Sequence, residues 1–481
     1  MNRFPIPFLL LALLAQPVLA DSPAAPAALD PADQTRFAAR AALLKEYPHI
    51  VEAMSASPHA GFGGPTSRVV GSRMYSRSDP AAIADVRAKL TVELQGERTW
   101  LLRMPFVNVA VFDTDEGLVL VDSGYAAAGP AIRDALRKLS TRRVHTIVYT
   151  HHHADHAFGA WALLEAGERP RIVATDSFLQ EVGMDIRLAN YTNVRLNDQA
   201  PQDVPRSTAD LAMPTQTFSG ELTLRIGGED FRLQQARGET ADQLWVHVPG
   251  RAVVVSADYH QPFLPNAGNG KRRQRYLLEW AGALRAMIAT GATRVLPLHG
   301  PAIEGHEAIE DKLGAVASAL ESVDTQVVEG LNAGLPQHEI FTRVALPPAL
   351  AARPDMVEYY NRVPDLARMV LREYSGWWDD VPSHWSPAPL AAQARELITL
   401  AGGQARVLER IEALRQSDTA MACHLADWAW YASPDDPAVL RAALAAYAAR
   451  IRPGVPAQEI NVYLSHMSEL KRRLDAADGA P

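Results

Sequence analysis

His151, His153, Asp155 and His156 fall within the run Thr150-His151-His152-His153-Ala154-Asp155-His156, in the spacing His-x-His-x-Asp-His. Imidazole nitrogen and carboxylate oxygen are donors that zinc accepts. Gathering so many polar groups in six positions is costly unless they hold something. His152 stands between two of them and is expected to point away from the shared ion. Zinc lowers the pKa of a bound water into the neutral range and polarises a substrate oxygen. The chemistry expected of the run is therefore metal-assisted hydrolysis, with no serine or cysteine nucleophile required.

A turn must carry these residues. Val144–Tyr149 reads as a buried strand rich in β-branched residues, and small residues with a helix to about Leu164 follow it. The run thus sits at the carboxyl end of a strand, where open α/β sheets place their sites. Upstream, Val107–Phe112 and Leu118–Asp122 read as partner strands joined by a turn at Asp113–Gly117, and a helix is expected over 128–139. A second β-rich stretch runs from about 216 to 258. It holds two hairpin signals, Gly227-Gly228 and Pro249-Gly250, each between apolar runs. A helix at about 272–290 and the apolar Val295–Leu298 before His299 close this half. Two β-rich layers with helices between them predict an α/β sandwich.

Composition changes after Gly305. Helical patterns occupy 306–333, 336–343, 355–374, 388–402, 404–415, 418–431, 436–451 and 456–475, broken by Pro347-Pro348, Pro382 and Pro387. At the other end, Arg3, the apolar Phe8–Ala15 and the small residues of Val18-Leu19-Ala20 predict an export signal cleaved after Ala20. The expected location is periplasmic or secreted. No later segment is long and apolar enough for stable membrane insertion. Residues 21–35 read as a disordered lead-in, 36–55 as a helix, and Gly61–Pro65 as loop. The net charge of -8 argues against nucleic acid as a partner. A single cysteine, Cys423, excludes intrachain disulfides and thiolate zinc sites.

Asp122 at a strand end, the Thr-His-x-His-x-Asp-His run, and single acids or histidines after later strands together resemble the metallo-β-lactamase superfamily. The resemblance implies an αββα sandwich that binds two metal ions, here two Zn2+, in a cleft. The superfamily's Gly-His-Thr segment matches Gly238-Glu239-Thr240, with a carboxylate in place of the histidine. Nineteen residues on, Asp258 matches the bridging carboxylate, and His299 matches the last histidine. By this resemblance His151, His153 and Glu239 bind one zinc, and Asp155, His156 and His299 bind the other. Asp258 and a hydroxide bridge the two, and Asp122 accepts a hydrogen bond from a ligand histidine. Asp155 and Asp258 are the residues expected to be catalytic.

Glutamate at that position resembles the alkylsulfatase branch. So do Tyr374-Ser375-Gly376-Trp377-Trp378-Asp379, Ser386-Pro387-Ala388-Pro389 and Leu400-Ala401-Gly402-Gly403 in the helical half. The domains implied are a signal peptide at 1–20, a lead-in at 21–95, a catalytic sandwich at 96–305 and an all-α dimerisation domain at 306–481. A homodimer is expected. Large aromatics such as Trp377, Trp378 and Trp385 are expected to anchor helix packing or a subunit interface. Proteins of this branch usually continue into a sterol-carrier-like domain, which this chain, ending at Pro481, is expected to lack. The implied substrate is an alkyl sulfate. Lys271, or Arg272 one position on, falls where the branch keeps a sulfate-binding arginine, and Tyr191 and Asn193 are further candidates for the cleft. A lactone, β-lactam or other ester is the alternative substrate, and a metal-holding scaffold the non-enzymatic alternative.

Overall fold

The apolar runs form two sheets in a computed structural model, which describes residues 31–55, 76, 79–165, 167–189, 191 and 205–478. The export signal, the start of the lead-in, the Gly61–Pro65 loop and Asn193 lie outside the described residues. The first sheet is β1 (Thr91–Gly96), β2 (Thr99–Arg103), β3 (Asn108–Thr114), β4 (Gly117–Val121), β5 (Val144–Val148), β6 (Arg171–Thr175) and β7 (Gln216–Phe218), in that order. β1 to β4 are antiparallel neighbours, and β4 to β7 are parallel. The second sheet comprises β8 (Glu221–Ile226), β9 (Glu229–Gln235), β10 (Leu244–Val248), β11 (Val253–Ala257), β12 (Arg294–Pro297) and β13 (Ile303–Glu304). Its order is β13-β12-β11-β10-β9-β8, and β11 and β12 are its parallel pair. The β8–β9 hairpin turns on Gly227 and Gly228, both at positive φ, which a two-residue loop of this hand requires.

Burial explains the stacking. Every residue of β3 and β4 is buried, so both faces of the first sheet are covered there. Leu101, Phe112, Val121 and Val148 meet Phe231, Leu233, Val246 and Val255 between the sheets. On the outer face of the first sheet, Val109, Leu120 and Ile147 pack under the helices Pro80–Lys89 and Gly129–Leu139. On the outer face of the second, Trp245, Val254 and Val295 pack under Leu277–Ala289 and His306–Asn332. The result is the four-layer αββα sandwich expected, followed by a helical region.

That last core does not stop where the composition changes. Leu313 and Leu320, and Leu366 and Val370 of the helix Val363–Tyr374, belong to it. A separate helical core joins Val407, Ile411, Leu440 and Leu464 to Leu43 and Ile50 of the helices Pro31–Glu46 and Pro48–Ser55. Two helices start later than their sequence patterns predict. The one expected from 272 begins at Leu277, because Tyr276 donates its N–H to the Gly238 carbonyl (3.1 Å) and ties the preceding residues to the connection between β9 and β10. The one expected from 355 begins at Val363, with proline in its first turn. Before it, the Val357 carbonyl accepts the N–H of Leu264 (3.1 Å).

Candidate metal centre

Asp122 follows β4 in the left-handed region, φ +64°, which aspartate tolerates better than most residues. That turn aims its carboxylate, fully buried, at the start of the histidine run. Oδ1 accepts the Thr150 N–H (2.6 Å), and Oδ2 accepts the Thr150 hydroxyl (2.7 Å) and the His156 Nδ1–H (2.6 Å). Thr150 spends its proton on Asp122, so its oxygen accepts from His151 Nδ1 (3.0 Å). The Phe106 carbonyl, able only to accept, takes the Nδ1–H of His299 (2.6 Å). In His151, His156 and His299 alike, Nδ1 is held from behind and Nε2 is turned towards the cluster, where His151 Nε2 meets His153 Nδ1 (2.9 Å), an orientation in which imidazole can bind a metal.

These nitrogens converge on carboxylates. One group is His151, His153, Glu239 and Asp258, whose donor atoms all lie within 4.8 Å of one another, and a second, equally tight, is Asp155, His156 and His299. Asp258 joins them. Its Oδ1 is 3.2 Å from His156 Nε2, and its Oδ2 is 3.1 Å from His299 Nε2. It stands just after β11, past Ala257 at φ +48°. All seven residues expected as ligands are thus brought together, and Asp122 stands behind them, with His151 and His156 both in reach.

The electrostatics suit cations. Burial, then the charge of His156, pushes His151 down to about 3, so it is neutral at ordinary pH. His153 is held well below its usual value by burial and by His151. Burial opposes charge on Asp258, but His156 and His299 outweigh it and keep the carboxyl ionised. Glu239 is pushed up to about 7 by burial, against the pull of Arg275 and with the charge of Asp258 adding to the rise. His156 Nε2, Glu239 Oε2 and Asp258 Oδ1 are buried with no hydrogen-bond partner. Buried polar atoms are seldom left so, and a divalent cation is what two carboxylate oxygens and an imidazole nitrogen would satisfy.

His152 points away, as expected. Its Nδ1–H meets the buried Asp242 (2.9 Å), and its Nε2 faces Arg273 (3.1 Å) and Asp185 (3.5 Å). Burial works against charge there, yet Asp242 and Asp185 raise His152 to about 9. The basic run Lys271-Arg272-Arg273-Gln274-Arg275 divides its labour. Arg273 pairs with Glu181 (2.8 Å) and Asp185 (2.9 Å), whereas Arg275 is buried against Glu239. Lys271 and Arg272 are half-buried in the same loop, and Tyr191 is 55% exposed beyond the helix Asp176–Arg187. The rings of Trp377 and Trp385 meet at a tilt (centroids 5.4 Å apart) but stay 74% and 63% exposed, so they do not pack into the core of their own chain.

Sequence reasoning did not single out Arg275, Asn266, Asp242 or Tyr360. Arg275 stands three positions past Arg272, at the end of the same basic run. Tyr360 gave no local signal. It lies between helices of the C-terminal half, 5.3 Å from Phe263. Burial, then Tyr359 and the carboxylates of Asp155, Glu239 and Asp258, lifts its hydroxyl well above the usual range.

Fold and site define a metallohydrolase, and comparison with known proteins gives its relatives. Residues 103–297 match the metallo-β-lactamase superfamily, and residues 336–473 match the family described as alkyl sulfatase dimerisation. A linear primary-alkylsulfatase of Pseudomonas sp. is 30% identical over 353 residues, 68% of this chain and 67% of that protein. The alkyl/aryl-sulfatase BDS1 of Saccharomyces cerevisiae is 21% identical over 332 residues, spanning 63% of this chain and 51% of that protein. In fold, the chain is similar to the stereoselective inverting sec-alkylsulfatase Pisa1 from Pseudomonas sp. The TM-score is 0.72 at 18% identity, covering 95% of this chain and 79% of that one. The chain belongs to the metallo-β-lactamase superfamily, in its alkylsulfatase branch, and is a metal-dependent hydrolase.

Proposed function

We propose that this protein is an exported, dinuclear zinc hydrolase that cleaves alkyl sulfate esters and works as a homodimer. The observation that carries the reading is the meeting of two metal-ready groups at Asp258, within a chain 30% identical to a linear primary-alkylsulfatase. His151, His153 and Glu239 would hold one ion, Asp155, His156 and His299 the other, and Asp258 both. Zinc bound there would supply an activated water and polarise an ester oxygen. The chain's own part is to fix the donors. Asp122 orients His156, Thr150 orients His151, and the Phe106 carbonyl orients His299. Lys271 and Arg272 would take the sulfate oxygens, arginine as a planar fork and lysine as a point charge.

One observation favours a second reading. Arg273 and Arg275 are both already matched by carboxylates, which leaves less positive charge for an anion than the run suggests. A lactone, β-lactam or other neutral ester is the substrate class that would follow. Sulfate release from a medium-chain alkyl sulfate by the zinc-loaded protein, with Asp155→Ala as control, decides between them. Release that disappears in the control is expected. No release, with turnover of a lactone or β-lactam instead, would replace the sulfatase reading by the second.

A further inference from the structure

Glu239 offers two oxygens, and its surroundings treat them differently. Oε1 receives the Arg275 guanidinium and the Asn266 Nδ2–H (3.1 Å). Oε2 has no hydrogen-bond partner and lies 3.9 Å from His153 Nδ1, on the side of the donor cluster. Glu239, Asn266 and Arg275 are 4%, 7% and 2% exposed, so water does not compete for these bonds. Arg275 is fixed in turn, because it also donates to the Asn266 carbonyl. The backbone beneath is equally constrained. Glu239 donates its N–H to Gln243 Oε1 (2.7 Å), and a Cβ on Gly238 would come within 2.8 Å of the Tyr259 ring.

We propose that Arg275 and Asn266 form a clamp on Glu239 that presents a single oxygen, Oε2, to the metal centre. The inference rests on the dinuclear reading above. A carboxylate can bind a cation through one oxygen or two. Rotating Glu239 to offer both would break a charge-assisted bond and leave a buried guanidinium without its counter-charge, which is strongly unfavourable. Arg275 also offsets locally one of the three negative charges that Asp155, Glu239 and Asp258 bring together. Its role is positioning, not contact with substrate.

The test is metal binding, read apart from turnover. Cobalt(II) and zinc are titrated into the metal-free full chain against a competing chelator. Ions per chain are counted, and the cobalt absorption bands recorded. The wild type is expected to take two ions per chain. Arg275→Met should weaken one of them by about 10- to 100-fold, the range for losing a group that orients a ligand, and should shift the cobalt bands. Arg275→Lys should restore part of both. Asn266→Ala, which keeps the ion pair and the backbone carbonyl, should move affinity and spectrum the same way by less, and it carries the test if Arg275→Met does not fold. Wild-type affinity and spectrum in Arg275→Met, or in Asn266→Ala if that variant alone folds, would overturn the clamp while the dinuclear reading stands. A wild type that binds no metal would remove both, and is told apart by the absence of ions in every variant.

Discussion

Asp122 shows how much one carboxylate does here. It holds Thr150 twice and His156 once, from a backbone position that few side chains accept. Asn tolerates that backbone too but carries no charge and has only one acceptor oxygen, so Asp122→Asn keeps the shape while removing charge and hydrogen bonds together. Metal affinity should fall by about 10- to 100-fold with little loss of fold, as measured by chelator competition and circular dichroism. Unchanged affinity would mean that the hydrogen bond to His156 does not orient it. Cys423 gives a second prediction. Burial pushes its thiol up to about 11, and it is 4% exposed in the helical core. The native protein should not react with a thiol reagent at pH 8, and one thiol should appear on unfolding. Rapid native reaction would contradict the burial. Of the seven candidate ligands, four were legible because they lie within six residues, whereas Glu239, Asp258 and His299 were reached through the family resemblance. Arg275 and Asn266 were not legible, since their bonds to Glu239 cross 36 and 27 positions and leave no local pattern.

At the scale of elements, the turn after β4 and the histidine run lock together. Ser123 donates through both its N–H (2.8 Å) and its hydroxyl (3.0 Å) to the His156 carbonyl. Gly159 is pressed against that turn, where a Cβ would lie 1.9 Å from the Ser123 carbonyl oxygen, a backbone atom that cannot swing aside. Gly159→Ala should cost about 2–3 kcal/mol in urea unfolding and weaken metal binding through His156. A neutral substitution would show that the turn gives way easily. Strands β3, β4, β5, β10 and β11 were readable because apolar and β-branched residues dominate them. β1 was not, being largely exposed along its length, nor was the three-residue β7. The late starts at Leu277 and Val363 were hidden for a different reason. Tertiary hydrogen bonds from Tyr276 and Leu264 override patterns that on their own continue as helix.

Over the whole molecule, the change of composition near residue 305 marks a change of element type but not the edge of a core. Leu284 and Met287 of the sandwich share one cluster with Leu313, Leu320 and Val370. A chain cut after residue 305 should therefore be insoluble or unfolded, and a soluble, cooperatively melting fragment would contradict that packing. Trp377 and Trp385 lie within the region that matches the dimerisation family, and they expose aromatic surface that the chain does not cover itself. If the proposed homodimer uses this surface, replacing both with Ser should shift its sedimentation from dimer towards monomer, and an unchanged mass would place the interface elsewhere. No helix among the described residues is long and apolar enough to cross a membrane.

The central claim is that two ions, held by seven residues that meet at Asp258, drive sulfate ester hydrolysis. Zinc titrated into the metal-free protein, with sulfate release from a medium-chain alkyl sulfate followed at each addition, tests it most directly. The account predicts no release without metal and a rise that reaches its plateau at two zinc ions per chain, absent in Asp155→Ala. Release from the metal-free protein, or a plateau at one ion, would contradict it.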